Sequence, residues 1–310
     1  MYAKYIYVAG ASAANILSDL VAILTGETSV ANLSVACDKP NTTILSTIPA
    51  GWTLHDGSAG TNAKAIKAPL ADDPSKFKYV ILDTNTAGYI QTKVYETWDA
   101  VTHTGTNLAY NSNVTTACQQ FSSTLAGTVH LFASARFLLL ASLYNGIWGS
   151  STGTGPSGCL ERTRVCPWDT VAAGWPPFAF SNLGNMATDG SGSYAPRLMS
   201  RALATITGTN SAWTSYAGFL GTVNIMMSSF NAVDQKVPDD VGGSAIPFFP
   251  ITWMNSTYMP APYGEISSLC DLWALPQGVA ANLDPIQKGG LDYLCLQASG
   301  TTKMFAVRKG

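Results

Sequence analysis

Charge is what this sequence has least of. Asp, Glu, Lys and Arg make up 12% of its 310 residues, about half the ~25% usual in soluble domains. The net charge is −2 and the pI about 5.9. With no basic field to neutralise phosphates, the composition excludes a dedicated nucleic-acid binder. No block of like charge reads as an electrostatic tail. Long apolar runs are also missing. The most apolar, Phe137–Leu143, is far shorter than the ~18 residues of a membrane span. Met1, Lys4, Tyr5–Val8 and Ala11-Ser12-Ala13 imitate a secretory leader, but the apolar part is short and Gly10 breaks it. Secretion by that route is not expected.

Histidine and paired cysteine are scarce. Only His55, His103 and His130 occur, none close to a cysteine. Cys37, Cys118, Cys159, Cys166, Cys270 and Cys295 contain no C-x-x-C. The ligand spacings of a structural zinc site are therefore absent. Six cysteines in a chain this long are too sparse for a disulfide scaffold. They are expected to be mostly unpaired, buried thiols in a reducing compartment, with Cys159 and Cys166 the one pair that a strand and turn could bring together.

What replaces charge is Ser, Thr, Asn and Gly. The hydrophobic fraction is 46%, which excludes general disorder. The length allows one large domain or two small ones, with a core that needs no metal or disulfide staple. Either neutral hydroxyls and amides keep the surface soluble, or other subunits cover much of it, since interface cores are depleted in charge.

The pattern along the chain is mostly β. Ala3–Val8 reads as a strand. A helix follows, capped by Ser12, with Ile16, Leu17, Leu20, Val21 and Leu24 at helical spacing and Gly26 at its end. Only Asp19 stands out on its polar side, so that side is itself expected to be covered. Ile44–Ile48 alternates up to Pro49-Ala50-Gly51. Phe77–Leu82 and Tyr89–Trp98 flank Asp83–Gly88 as a hairpin with a six-residue polar loop. The second of these strands puts Ile90, Val94 and Trp98 on one face and Tyr89 and Tyr95 on the other. Val129–Tyr144 reads as one long alternating strand, with His130 off its apolar face. Asn145-Gly146 is the strongest hairpin signal present. Gly149–Gly158 is a glycine- and serine-rich surface loop by composition. Cys159–Val165, Leu291–Leu296 and Lys303–Val307 are further strands. Prolines and aromatics between them mark long ordered loops. No repeat period is visible, which disfavours solenoids and propellers.

The chemical motifs fail on geometry. Gly149-Ser150-Ser151-Thr152-Gly153 matches the G-x-S-x-G elbow, but no helix follows it and no histidine lies beyond His130. Asp83-Thr84-Asn85-Thr86-Ala87-Gly88 begins like a calcium loop, yet Ala87 stands at a ligand position and Val94 where the bidentate Glu belongs. No Walker loop and no dinucleotide glycine motif opens a helix. Glu96, Glu161, Asp169 and Asp239 are nameable as paired acids, but nothing places two of them in a cleft. Tyr and Trp, 13 and 8 in number, could form a sugar platform; core and interface packing accounts for them more simply.

Several phrases together resemble a known class. These are Leu24-Thr25-Gly26-Glu27-Thr28, Pro49-Ala50-Gly51-Trp52-Thr53-Leu54-His55-Asp56, Lys76-Phe77-Lys78-Tyr79-Val80, Thr86-Ala87-Gly88-Tyr89-Ile90-Gln91, Phe132-Ala133-Ser134-Ala135-Arg136-Phe137 and Pro167-Trp168-Asp169-Thr170-Val171-Ala172-Ala173-Gly174. In ensemble the chain resembles the structural proteins of tailed-bacteriophage particles, in particular those of the tail and baseplate region. The resemblance implies a virion protein assembled in the host cytoplasm, and it supplies no functional residues.

The expectations are these. The fold is mainly β, an antiparallel β-sandwich-like architecture with one N-terminal helix and long ordered loops. A strand–helix plus β unit covers 1–127 and a β-rich unit covers 128–310, unless the two form one domain. The function is non-enzymatic: a structural component of a tail, baseplate or fibre attachment, acting through multimeric assembly. The alternatives are a capsid or collar decoration protein and a carbohydrate- or receptor-binding module. No catalytic, cofactor or metal residue is expected, and no cofactor. Trp148, Gly149, Gly153, Gly158 and Trp168 are the candidate assembly contacts. Partners are other copies of the chain, other virion proteins and a host surface glycan, with no nucleic acid and no membrane span.

Overall fold

The computed structural model describes residues 2–27, 30–35, 51–70, 73–84, 88–108, 118–145, 147–148, 157–161, 177–180, 197–198, 237–238, 244–245, 252–254, 262–265, 272–275, 280–297 and 304–309. The expected strand at Ile44–Ile48 and most of the proline- and aromatic-rich loops lie outside these residues.

The N-terminal unit forms as its sequence dictates. β1 (Tyr2–Tyr7) leads into α1 (Ala13–Leu24). The Ser12 hydroxyl accepts from the Asn15 N–H at 3.1 Å, satisfying a donor that the first turn cannot pair. Gly26 adopts φ 102°; its N–H bonds Ile23 O at 3.1 Å and the Glu27 N–H bonds Ala22 O at 2.9 Å, a Schellman closure. The polar side of α1, expected to be covered, stays open at Asn15 and Ser18, which are exposed, and is covered by the chain itself only at Asp19. Asp19 is buried and accepts from the Asn32 N–H at 2.6 Å and the Leu33 N–H at 2.8 Å.

The strands that follow are β2 (Leu33–Val35), β3 (Thr53–Gly60), β4 (Ala63–Pro69), β5 (Phe77–Asp83), β6 (Tyr89–Asp99), β7 (Thr104–Leu108) and β8 (Cys118–Gln120). Next come β9 (Gly127–Ser134), β10 (Phe137–Tyr144), β11 (Ile147–Trp148), β12 (Ser157–Glu161), β13 (Pro177–Phe180) and β14 (Arg197–Leu198). The last are β15 (Val237–Pro238), β16 (Ser244–Ala245), β17 (Thr252–Met254), β18 (Pro262–Glu265), β19 (Leu272–Leu275), β20 (Pro285–Lys288), β21 (Leu291–Gln297) and β22 (Met304–Arg308).

Among the described residues these strands make five antiparallel sheets. The first has the order β14-β13-β12-β10-β9-β1-β2, with β11 beside β10. The second has the order β3-β4-β5-β6-β7, with β8 beside β6. The order β19-β22-β21-β20 makes a third, and β15–β16 and β17–β18 are two-stranded. The mainly-β, one-helix reading therefore holds over the described residues.

One core joins the first two sheets to the helix. Ile16, Leu20 and Leu24 of α1 meet Tyr5, Val129, Leu131, Leu138 and Leu140 of the first sheet and Ile66, Val80, Leu82, Ile90 and Val94 of the second. Polar links cross the same interface. The Trp52 indole donates to Ser134 O at 3.0 Å. Lys78, wholly buried, donates to Pro69 O at 3.1 Å and to Ala135 O. Gln119 of β8 accepts from the Ser142 N–H of β10 at 2.9 Å. The boundary expected at 127/128 falls at the start of β9, which pairs with β1 from Gly127↔Tyr7 to Phe132↔Tyr2. The N-terminal strand thus shares one sheet and one core with residues beyond that boundary.

Val129–Tyr144 is not one strand but a hairpin. β9 and β10 reverse at Ala135-Arg136, with Ser134 opposite Phe137. The two-residue turn switches the parity, so Leu131 and Ala133 share the core with Leu138 and Leu140. Phe137 and Leu139, expected on their side, lie on the other side with Phe132. Neither Ala135 nor Arg136 is a turn former, and alternation runs through them unbroken in the sequence. Phe132, Phe137, Leu139 and Ala141 are also buried, so the centre of this sheet is covered on both faces, which explains its nearly continuous apolar run. The Asn145 hairpin is as expected. Tyr144 pairs Ile147, and Asn145 takes φ 50°, the left-handed conformation its turn requires.

Candidate functional site

The chemistry-bearing side chains gather where the second sheet curls. β3 and β7 are its opposite edges. The pairing of β3 with β4 slips between Leu54 and Asp56 and again between Asp56 and Gly60. Such bulges bend a strand and re-aim its side chains. On the inside of the curl, Ala63, Ala65 and Ile81 form a small buried cluster, packed by Ala59, Tyr79, Tyr95 and Trp98. Small side chains there leave room for the bend. Trp98, which alternation places with Ile90 and Val94, instead joins this cluster. Its indole follows an acceptor across the curl.

That acceptor is Asp56. Its Oδ2 accepts from Trp98 Nε1 at 2.9 Å and from His103 Nδ1 at 2.8 Å. Its Oδ1 accepts from the Ser58 N–H at 2.9 Å and the Ser58 hydroxyl at 3.2 Å. Burial alone would push the Asp56 carboxyl up. The bonds from His103, Trp98 and Ser58, with the charge of His103, outweigh it and hold the carboxyl down to about 2. Asp56 is therefore the ionised acceptor, and His103 Nδ1 carries the proton. His103 itself sits at φ 54°, a conformation uncommon outside glycine, in the turn between β6 and β7. His55 makes a second tie. Its Nε2 lies 3.2 Å from Trp98 O; a carbonyl only accepts, so Nε2 bears the hydrogen. The His55 ring stands 4.9 Å from that of Tyr79.

Ser58, Asp56 and His103 have the residue types of a hydrolytic triad but not its wiring. The hydroxyl bonds the carboxylate and not the imidazole, so Ser58 is not placed for His103 to deprotonate it. The arrangement fastens one sheet edge to the other.

His130 is the second polar centre. Read as lying off the apolar face of its strand, it is nevertheless buried, with Nδ1 3.0 Å from the Tyr2 hydroxyl of the neighbouring strand and Nε2 3.3 Å from Thr128 Oγ1. Burial, then the nearby Lys4 charge, lowers its pKa to about 4. Asp83, also buried, pairs with Lys93 at 2.7 Å. Among the described residues, no group of three His, Cys, Asp or Glu side chains is placed to hold a metal ion, and no helix is long and apolar enough to cross a membrane.

Of the expected contact residues, Trp148 and Gly158 lie among the described residues. Trp148 lies in β11 opposite Leu143. Gly149, Gly153 and Trp168 lie outside the described residues. Gly158 is not in a loop: β12 begins at Ser157, and Gly158 is buried between Leu139 of β10 and Phe180 of β13. A Cβ there would run into Leu138 O, so its own chain accounts for the glycine. Of the named acids, Glu96 is half-buried on β6 and Glu161 ends β12; Asp169 and Asp239 lie outside the described residues. Cys159 and Cys295 are buried, and burial foremost, then the Asp284 charge, pushes the Cys295 thiol up to about 12. Cys166 lies outside the described residues.

The sequence matches no protein-family model and no curated protein.

Proposed function

We propose that the chain is a non-enzymatic structural component of a tailed-bacteriophage particle, in its tail, baseplate or fibre-attachment region, and that it acts by multimeric assembly. One observation carries the reading. In a chain with 12% charged residues, the buried acids, lysine and histidine among the described residues are committed internally: Asp19, Asp56, Lys78, Asp83 and His130 each hydrogen-bond within the fold. Large apolar side chains meanwhile stand in solvent, with Val101 87%, Val8 63% and Leu54 51% exposed. A surface poor in charge and dotted with exposed apolar groups suits partner contacts. The phage particle enters through the sequence phrases quoted above.

The test is the chain's place in an intact particle. Tagged protein should co-purify with assembled particles, and a labelled map should put it on the tail in multiple copies. Label on the head or collar would favour a decoration protein, and a monomer absent from particles would end the assembly reading.

A further inference from the structure

We propose that the Lys67–Tyr79 face of the curled second sheet binds an acidic saccharide, a sugar ring bearing a carboxylate. The observation is a row of rings and unsatisfied polar groups on one face. Lys67, Tyr79 and Tyr95 are register partners across β4, β5 and β6, and Phe77 follows one pair along. All four are half-buried. His55 closes the row from β3, its ring 4.9 Å from Tyr79. The Lys67 ammonium lies 4.9 Å from the centre of the Phe77 ring.

The polar tips of this row are unused. Among the described residues, the Lys67 ammonium, the Tyr79 hydroxyl and His55 Nδ1 have no hydrogen-bond partner. Rings that offer an apolar face and a polar tip, with a few convergent donors, are the chemistry of a small polar-ligand site.

Charge complementarity selects the occupant. The carboxylates near this face are taken, Asp83 by Lys93 at 2.7 Å and Asp56 by His103 at 2.8 Å. Among the described residues Lys67 therefore presents a positive charge without a counter-ion, which favours an anion. Nucleic acid fits poorly, because its affinity grows with the number of phosphates neutralised, and the row offers a single lysine in a chain of net charge −2. A saccharide carboxylate needs only one cation, and the sugar's C–H face can lie on Tyr79 while its hydroxyls meet His55 and the phenol.

Calorimetric titration of the full chain at low salt tests this, with sialyllactose, digalacturonic acid, lactose and a short oligothymidylate as probes. The acidic saccharides should bind, and lactose at least about tenfold more weakly, the difference one charge-assisted hydrogen bond makes. K67Q should erase that preference, and Y79A should weaken every saccharide. If Y79A unfolds, K67Q and Y79F, which keeps the ring, carry the test. No heat from either acid, equal binding of lactose, tighter binding of the oligothymidylate, or an unaltered K67Q would each overturn the proposal. None of these outcomes bears on incorporation into particles.

Discussion

Asp56 and His103 meet at 2.8 Å across 47 residues of sequence, and they join edge strand β3 to the turn that leads into β7, the opposite edge. The contact is one-sided: the His103 side chain is 40% exposed and that of Asp56 only 2%. The carboxylate is the hub, since the Trp98 indole and both Ser58 donors also end on it. A ladder between β3 and β7 would have closed the sheet with backbone bonds. Here the buried Asp56 side chain closes it, with the His55 bond to Trp98 O beside it.

Removing the hub should therefore cost more than removing the spoke. Asp56→Ala leaves the Trp98 and Ser58 N–H groups without their acceptor, and should cost about 1–3 kcal/mol of stability. His103→Ala removes an exposed partner and should cost no more than about 1 kcal/mol. Urea denaturation followed by tryptophan fluorescence measures both. Equal losses would mean that the ion pair, not the carboxylate's bonds, does the holding.

The parts of this fold legible in the sequence are those fixed locally. Ser12 and Gly26 bound α1 because caps act within a turn. Asn145-Gly146 turns because Asn tolerates the left-handed φ that its hairpin needs. The turn at Ala135-Arg136 was illegible because neither residue favours a turn; pairing of β9 with β10 imposes it. The Asp56 hub was illegible for another reason. It depends on how far the second sheet bends, which follows from bulges in β3 and alanines in β4 acting together, and no residue near Asp56 or His103 announces the other. His130 lay off the apolar face of its strand as read, but that second face is buried too, which alternation alone does not reveal.

His130 makes the fold sensitive to mild acid. Its pKa is about 4 when folded, against about 6.5 in an unfolded chain. The unfolded state therefore binds the proton more tightly. The stability that His130 allows is fully present above pH ~6.5 and falls as pH drops toward 4, by about 3 kcal/mol in all. Unfolding free energies measured from pH 7.5 to 4 should show this slope, and His130→Gln should flatten it. An unchanged slope in that variant would assign the acid sensitivity to other groups.

Lys78 should behave as a structural cation. It is wholly buried, donates to Pro69 O and Ala135 O, and lies 5.3 Å from the Trp52 ring. Lys78→Met keeps the stem but removes the donor to the half-buried Pro69 and Ala135 carbonyls, and should cost about 1–3 kcal/mol. Trp52→Phe removes the neighbouring bond to Ser134 O, 3.0 Å in length. Both contacts dock the β9–β10 turn on the second sheet, so the two losses should be non-additive in a double-mutant cycle. Additive losses would show that each contact acts alone.

Two residues read from the sequence as assembly contacts should separate in one experiment. Gly158 is buried in β12, and a Cβ there would meet Leu138 O of the neighbouring strand. Gly158→Ala must push β10 and β12 apart, at a cost of about 1–3 kcal/mol or more. It should lower the yield of folded protein and the thermal midpoint, with incorporation into particles reduced only in proportion. Trp148 lies in the short strand β11 beside the Asn145 turn. If it is an assembly anchor, Trp148→Ala should leave the thermal midpoint near that of the unaltered chain while incorporation fails, because an anchor acts on the partner and not on the fold. Thermal melts and particle incorporation measured on the same preparations distinguish the two. A Gly158→Ala protein that melts normally yet stays out of particles would return Gly158 to the interface. A Trp148→Ala protein that incorporates normally would remove Trp148 from it.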